Sequence, residues 1–259
     1  MIEQELDKIR KQMTDGLENI LPDEVLSKFV LGPSKMIRSR LCLLYLLCNN
    51  CKINDIIIGL CATAELIHNA SLLHDDVIDN AKIRRNRTTI SEQFTPKISI
   101  LCGDYLVSIA IEKLSALNNA EISNIFNKCV QNMAKAEVKQ YFTRGKVPFV
   151  DDYIDICKGK TAGLFSSTLE SCAIACNVST QKAKNFGEFF GIAFQIKNDM
   201  KDSSIEQDKQ NKINTVVDIL GVEKSNDLLD NYKRELNDLI NELPENEYRE
   251  GLRDLVEEL

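Results

Sequence analysis

The sequence predicts an all-α protein, and three observations carry that prediction. Apolar residues recur with helical spacing from one end to the other. The strict alternation that marks strands is nearly absent. The five prolines, Pro22, Pro33, Pro96, Pro148 and Pro244, fall between periodic segments, where a residue without an amide N–H starts or stops a helix.

In order, the expected helices are 2–14, 22–31, 35–50, 53–80, 91–117, 119–144, 150–158, 160–176, 179–204, 212–220, 224–242 and 245–258. The first, from MIEQELDKIRKQ, is charged and periodic. Pro22 and the Gly32-Pro33 break bracket the second, and the third holds the longest apolar run, Leu41–Cys48. Segments 53–80 and 179–204 are apolar over more than half their circumference, as helices surrounded by others should be. Pro96, Pro148 and Pro244 punctuate the remainder. No linker rich in Ser, Pro or Gly divides the chain and no repeat is visible, so residues 1–259 are expected to form one domain.

Bulk properties exclude several roles. A net charge of −7 argues against a nucleic-acid surface, which needs a basic stripe. Leu41–Cys48 is too short to span a bilayer and the start lacks the apolar core of a secretory signal, so no stable membrane insertion is expected. Nine cysteines, an odd number, are scattered through apolar stretches, and the lone C-x-x-C of Cys48 and Cys51 has no second pair. These features point to a reducing, cytoplasmic setting.

The chemistry concentrates in ELIHNASLLHDDVIDNAKIRRNRTT, residues 65–89. Asp75 and Asp79 are four apart and project from one helical face, with Asp76 beside them. Three neighbouring acids repel one another unless a cation sits among them, and hard oxygen ligands point to Mg²⁺ or Mn²⁺. Arg84 and Arg85 follow, and a guanidinium fork suits phosphate oxygens. Metal and arginines together suggest a bridged diphosphate; on its own the segment also suits a solvated helix end. A second acidic run lies in GIAFQIKNDMKD, where Gln195, Asn198 and Asp202 share a face and Asp199 sits beside Asn198.

The first segment closely resembles the D-D-x-x-D and R-R motif of the trans-polyprenyl diphosphate synthases, and the similarity extends along nearly the whole chain. GIAFQIKNDMKD is similar to that family's second aspartate-rich motif, with Asn198 in place of its first aspartate. KGKTAGLF carries the family's K-T-A as Lys160 and Thr161. GPSKMIRSR keeps the lysine and second arginine of its G-G-K-R-x-R-P as Lys35 and Arg38, with Arg40 a weaker candidate. Lys212 matches the lysine of a G-K-x-T segment that is otherwise altered here.

The resemblance implies an isoprenoid synthase-like fold, an antiparallel helix bundle around a central cavity. It implies a homodimer that condenses an allylic diphosphate with isopentenyl diphosphate, head to tail. Asp75, Asp76, Asp79, Asn198, Asp199 and Asp202 would hold Mg²⁺. Arg84 and Lys160 would bind the allylic diphosphate, and Lys212 is a further substrate-binding candidate. Lys35, Arg38, His68 and Arg85 would hold isopentenyl diphosphate. Thr161 and Gln195 would face the developing cation. His68 lies seven residues before Asp75 on the same face, about 10 Å away, whereas His74 reads as structural. Ala70 and Ser71 stand where family members carry bulky aromatics to stop chain growth, so their small size implies a long product. Two other functions fit parts of the pattern. A class I terpene cyclase would use Asn198, Asp202 and Glu206, spaced by four, but leaves the second diphosphate's ligands without a role. A non-catalytic subunit of a heteromeric synthase would explain Asn198, but such subunits usually lose the aspartates kept here.

Overall fold

Polar side chains suited to helix ends set the boundaries of this fold. A computed structural model describes residues 1–17, 25–202 and 213–259. Over these residues the chain forms α1 (Ile2–Thr14), α2 (Val25–Val30), α3 (Ile37–Cys48) and α4 (Asp55–Ile78). A short hairpin follows, β1 (Ile83–Arg84) and β2 (Arg87–Thr88), then α5 (Ile90–Gln93), α6 (Pro96–Ala116), α7 (Ala120–Thr143) and α8 (Val150–Cys157). A π-helical turn, Lys158–Ala162, joins α8 to α9 (Gly163–Cys176), and α10 (Thr180–Asp202) comes next. The chain ends in α11 (Val216–Leu220), α12 (Val222–Asn241) and α13 (Glu247–Glu257).

Asn54, Thr89, Thr95, Thr215 and Asn246 cap helix starts by accepting a hydrogen bond from an amide one turn in. At the other ends Asn50, Asn80, Asn118 and Asn177 take positive φ, the left-handed stop that asparagine tolerates better than most residues.

The all-α expectation holds, with a two-residue hairpin added. The helix expected over 91–117 is two helices, because Thr95 caps a fresh start and Pro96 occupies its first turn, where no N–H is needed. The segment expected over 212–220 becomes helical only at Val216, where Thr215 and Asp218 form a capping box. Parts of 22–31, 179–204 and 212–220 lie outside the described residues.

Chain contacts divide the molecule into two compact units, Met1–Leu43 with Ile53–Ser123, and Leu44–Lys52 with Asn124–Leu259. In the first unit α4 packs along α6 and against α1. Leu6, Ile9, Ile57, Leu60, Leu66 and Leu106 are fully buried there, each contributing about 1.5–3 kcal/mol. By length and composition α4 could cross a membrane, but 72% of its most apolar window is buried inside the protein, as suits a core helix.

In the second unit α10 packs on α9, the π turn and α12. Gly187 and Gly191, one turn apart, allow the close approach. A Cβ on Gly191 would lie 2.4 Å from the Ala162 Cα, and one on Gly187 2.7 Å from the Ser166 Cα. The same row of α10, continued by fours, carries Gln195 and Asp199.

Candidate active site

The first unit gathers acids and arginines at the end of α4. Asp79 is the C-cap, Asn80 turns left-handed, and the Asn80 and Ala81 amides donate to the Val77 and Asp76 carbonyls. That Schellman arrangement places Asp75, Asp76 and Asp79 in the last turn, where the helix dipole disfavours negative charge. Asp75 and Asp79 are half-exposed. Asp76 turns inward, is fully buried, and pairs through Oδ1 with Arg84 Nε at 2.5 Å. Its Oδ2 is buried without a hydrogen-bond partner. Burial pushes the Asp76 pKa up, opposed by Arg84.

The hairpin fixes the arginines. Register pairs Arg84 with Arg87, so Arg85 and Asn86 are the two turn residues, and both have positive φ (51° and 59°) as a type I′ turn requires. A left-handed arginine is strained, and such strain collects at functional positions. Arg38 enters the same field from the first turn of α3, where it is buried. Glu65, buried beneath, accepts from the Ser39 hydroxyl at 2.8 Å and the Ser39 amide at 3.3 Å. Burial raises its pKa, with Arg38 opposing most strongly.

His68 reports the sum. Its pKa is driven well below the ordinary value, by burial first and then by Arg38, Arg85 and Arg84. The imidazole is therefore neutral at neutral pH, beside three guanidiniums whose buried acids are Glu65 and Asp76. Three guanidiniums gathered round one imidazole suit an anion.

Other predicted residues of this unit fall as follows. Lys35 is exposed and precedes α3, separated from it by Met36 at φ 46°, so it does not stand on the helix turn the sequence suggested. Arg40 pairs with Glu3 at 2.6 Å. His74 lies 3.2 Å from Asp104 of α6, in keeping with a structural role. Ser71 is half-buried and donates to the His68 carbonyl, and Ala70 is buried.

The second unit builds its polar cluster differently. The π turn, a wide helical turn common at functional sites, carries Lys160 and Thr161. Lys160 Nζ lies 2.5 Å from Glu137 Oε2 and 2.9 Å from Gln140 Oε1, both on α7. Thr161 Oγ1 donates to Gln195 Oε1 at 2.7 Å, and Gln195 Nε2 donates to Asp199 Oδ1 at 2.7 Å. The Tyr153 hydroxyl donates to Asp199 Oδ2, also at 2.7 Å. Gln195 thus pairs with Asp199, one turn on, rather than with Asn198. Asn198 is half-buried on α10, and Asp202 is the last residue of that helix. The Asp202 side chain, Glu206 and Lys212 lie outside the described residues.

A sequence profile described as polyprenyl synthetase matches residues 21–246. The chain belongs to the polyprenyl synthetase family. Among its relatives, a prenyl transferase of Cyanidium caldarium is 30% identical over 83% of this chain and 67% of its own. A decaprenyl-diphosphate synthase of Dictyostelium discoideum is 35% identical over 61% of this chain, a stretch that spans only 35% of that relative's length. The crystal structure of octaprenyl pyrophosphate synthase from Helicobacter pylori superimposes with a TM-score of 0.85, 26% identity and 99% coverage of both chains.

Sequence reasoning missed Glu137, Gln140 and Tyr153 in this member of the polyprenyl synthetase family. Glu137 and Gln140 stand three apart on one face of α7, a local signal that was available. Tyr153 shares the buried stripe of α8 with Ile156 and Cys157, and its stripe gave no hint of a polar partner.

The donors of the first unit suit a hard divalent cation. Two half-exposed carboxylates share a face at a helix end that disfavours their charge, and a third acid carries an unmatched buried oxygen.

Proposed function

We propose that this chain is a trans-polyprenyl diphosphate synthase, elongating an allylic diphosphate by head-to-tail addition of isopentenyl diphosphate. The observation that carries the reading is the neutral His68 among Arg38, Arg84 and Arg85, next to the half-exposed Asp75 and Asp79. Cations suited to an anion lie beside carboxylates suited to a hard cation, the two requirements of a metal-bridged diphosphate.

Asp75 and Asp79 in the first unit, and Asn198, Asp199 and Asp202 in the second, are each candidate ligands of Mg²⁺, which when bound would neutralise the charge that gathers on the leaving diphosphate. Arg84 and Lys160 bind the allylic diphosphate and take up charge as its C–O bond breaks, with Lys212 as a further ligand. Glu137 and Gln140 hold the Lys160 ammonium in place. Arg38, Arg85, Lys35 and neutral His68 orient isopentenyl diphosphate, whose double bond forms the new C–C bond before a proton leaves to a diphosphate oxygen. The Thr161 hydroxyl donates to Gln195, which leaves its lone pairs to face the allylic cation.

The product is a long chain. Small residues at Ala70 and Ser71 support this, as do relatives described as decaprenyl and octaprenyl synthases. The chain acts as one domain, assembles as a homodimer and works in the cytoplasm, a setting that nine cysteines outside any disulfide suit. Sedimentation and cell fractionation test the last two.

The deciding assay incubates purified protein with farnesyl diphosphate, radiolabelled isopentenyl diphosphate and Mg²⁺. Incorporation into products longer than fifteen carbons is expected. Diphosphate release without isopentenyl diphosphate would instead mark a cyclase, and inactivity without a partner would mark a subunit of a heteromer.

A further inference from the structure

Asp199 is held from both of its oxygens. Gln195 Nε2 donates to Oδ1 and the Tyr153 hydroxyl donates to Oδ2, each at 2.7 Å. The directions of these bonds follow from the groups involved. An ionised carboxylate only accepts, so Gln195 must present its NH₂ to Asp199 and its carbonyl oxygen to Thr161. Gln195 is anchored in turn by Thr161, and α10 is seated by the glycine contacts at Gly187 and Gly191.

Tyr153 reaches Asp199 from another helix. It is 6% exposed and stands on α8, which packs against α10. Its oxygen is the one polar atom of an otherwise apolar ring, and it is shared between the Asp199 carboxylate and the Cys157 side chain.

The local charge makes this bond matter more here. Asn198 offers a neutral oxygen where the family's motif has an aspartate, so the negative charge of this run rests on Asp199 and Asp202 alone. A carboxylate presents about four lone-pair directions. Two donors on different oxygens fix the plane of this one. Freed from Tyr153, the same carboxylate would rotate about its Cβ–Cγ bond and meet a cation only part of the time.

We propose that Tyr153 is a positioning residue whose hydroxyl holds the Asp199 carboxylate in the orientation that receives a divalent cation. The inference rests on the synthase reading for its role in catalysis, and its test separates the two.

Tyr153→Phe removes one oxygen and keeps the ring. Mn²⁺ binding to the purified full chain is measured by electron paramagnetic resonance with inorganic diphosphate present, alongside the melting temperature and steady-state kinetics. Affinity should fall about tenfold, as for other outer-shell partners of metal ligands. The rate constant kcat should fall at least as far, while the KM for isopentenyl diphosphate and the melting temperature change little. Gln195→Met, which removes the other donor, should also weaken Mn²⁺ binding. The double variant should lose less than the sum, because both changes free the same rotor. Wild-type Mn²⁺ affinity in Tyr153→Phe, or strictly additive losses, would overturn the proposal. If wild-type protein condenses substrates and Tyr153→Phe is indistinguishable from it, this inference fails and the synthase reading stands. If Mn²⁺ binding depends on Tyr153 but no condensation occurs, the synthase reading fails and the positioning role stands. A wild-type chain that binds no Mn²⁺ overturns both.

Discussion

The acids of α4 and those of α10 both stand on long helices, but they are provided for differently. At α4 the compensation is charge: Arg84 grips Asp76, and Arg85 and Arg38 complete a field that keeps His68 neutral. At α10 the described run has exchanged one acid for Asn198, and its Asp199 takes hydrogen bonds from two uncharged donors, Gln195 and Tyr153. The first region should therefore respond to lost charge and to pH, and the second to lost direction. Each variant below is a way to break or sharpen that contrast.

The largest effect is expected at Asp75. Asp75→Ala should lower kcat by about two orders of magnitude or more, the scale for removing a group that stabilises transition-state charge. Its folding should be unimpaired, because an acid is removed from the negative end of a helix dipole. Near-normal turnover in a well-folded variant would show that the charge of the first region does not serve the reaction.

Arg84→Leu should cost stability. Asp76 is fully buried and its partner would be gone, so urea unfolding should show a loss of about 2–3 kcal/mol, towards the low end for a broken buried pair because Arg84 is partly exposed. An equal loss from Lys160→Leu would erase the contrast, since the Glu137 partner there is less completely enclosed.

His68 supplies the pH test. Its folded pKa lies well below the unfolded value of 6.5, so the unfolded chain binds the proton first. The stability it contributes is present above pH 6.5 and is lost as pH falls, with a slope of at most about 1.4 kcal/mol per pH unit. His68→Gln should flatten the stability profile between pH 6.5 and 5. Inorganic diphosphate should raise the imidazole pKa by neutralising the arginines, visible in proton NMR of the ring. An unshifted ring titration would argue that no anion enters this field.

The smallest effect is expected at Asn198. Asn198→Asp should lower the Mg²⁺ concentration for half-maximal activity by about threefold, because charge count tunes affinity for hard cations. An unchanged requirement would mean that direction alone governs the second region.

How much of this could be read in advance follows from distance along the chain. The helices, the shared face of Asp75 and Asp79 and the nearness of Arg84 and Arg85 were legible because each is a local matter of period or adjacency. Even locally, the helix drawn through Pro96 missed a capped restart, and Lys35 was placed on a helix that Met36 excludes by turning left-handed. Rotamers and partners were beyond reach. Nothing in D-D-V-I-D says that Asp76 turns inward while its neighbours stay half-exposed; that depends on where a strained hairpin delivers Arg84 eight residues later. The sequence by itself determined which chemical groups the protein owns and which helical face each occupies, since period and covalent order dictate those. Only the tertiary structure decided that Tyr153 meets Asp199 across 46 positions and that Glu137 meets Lys160, because such pairs arise when whole helices pack, at separations no local pattern encodes.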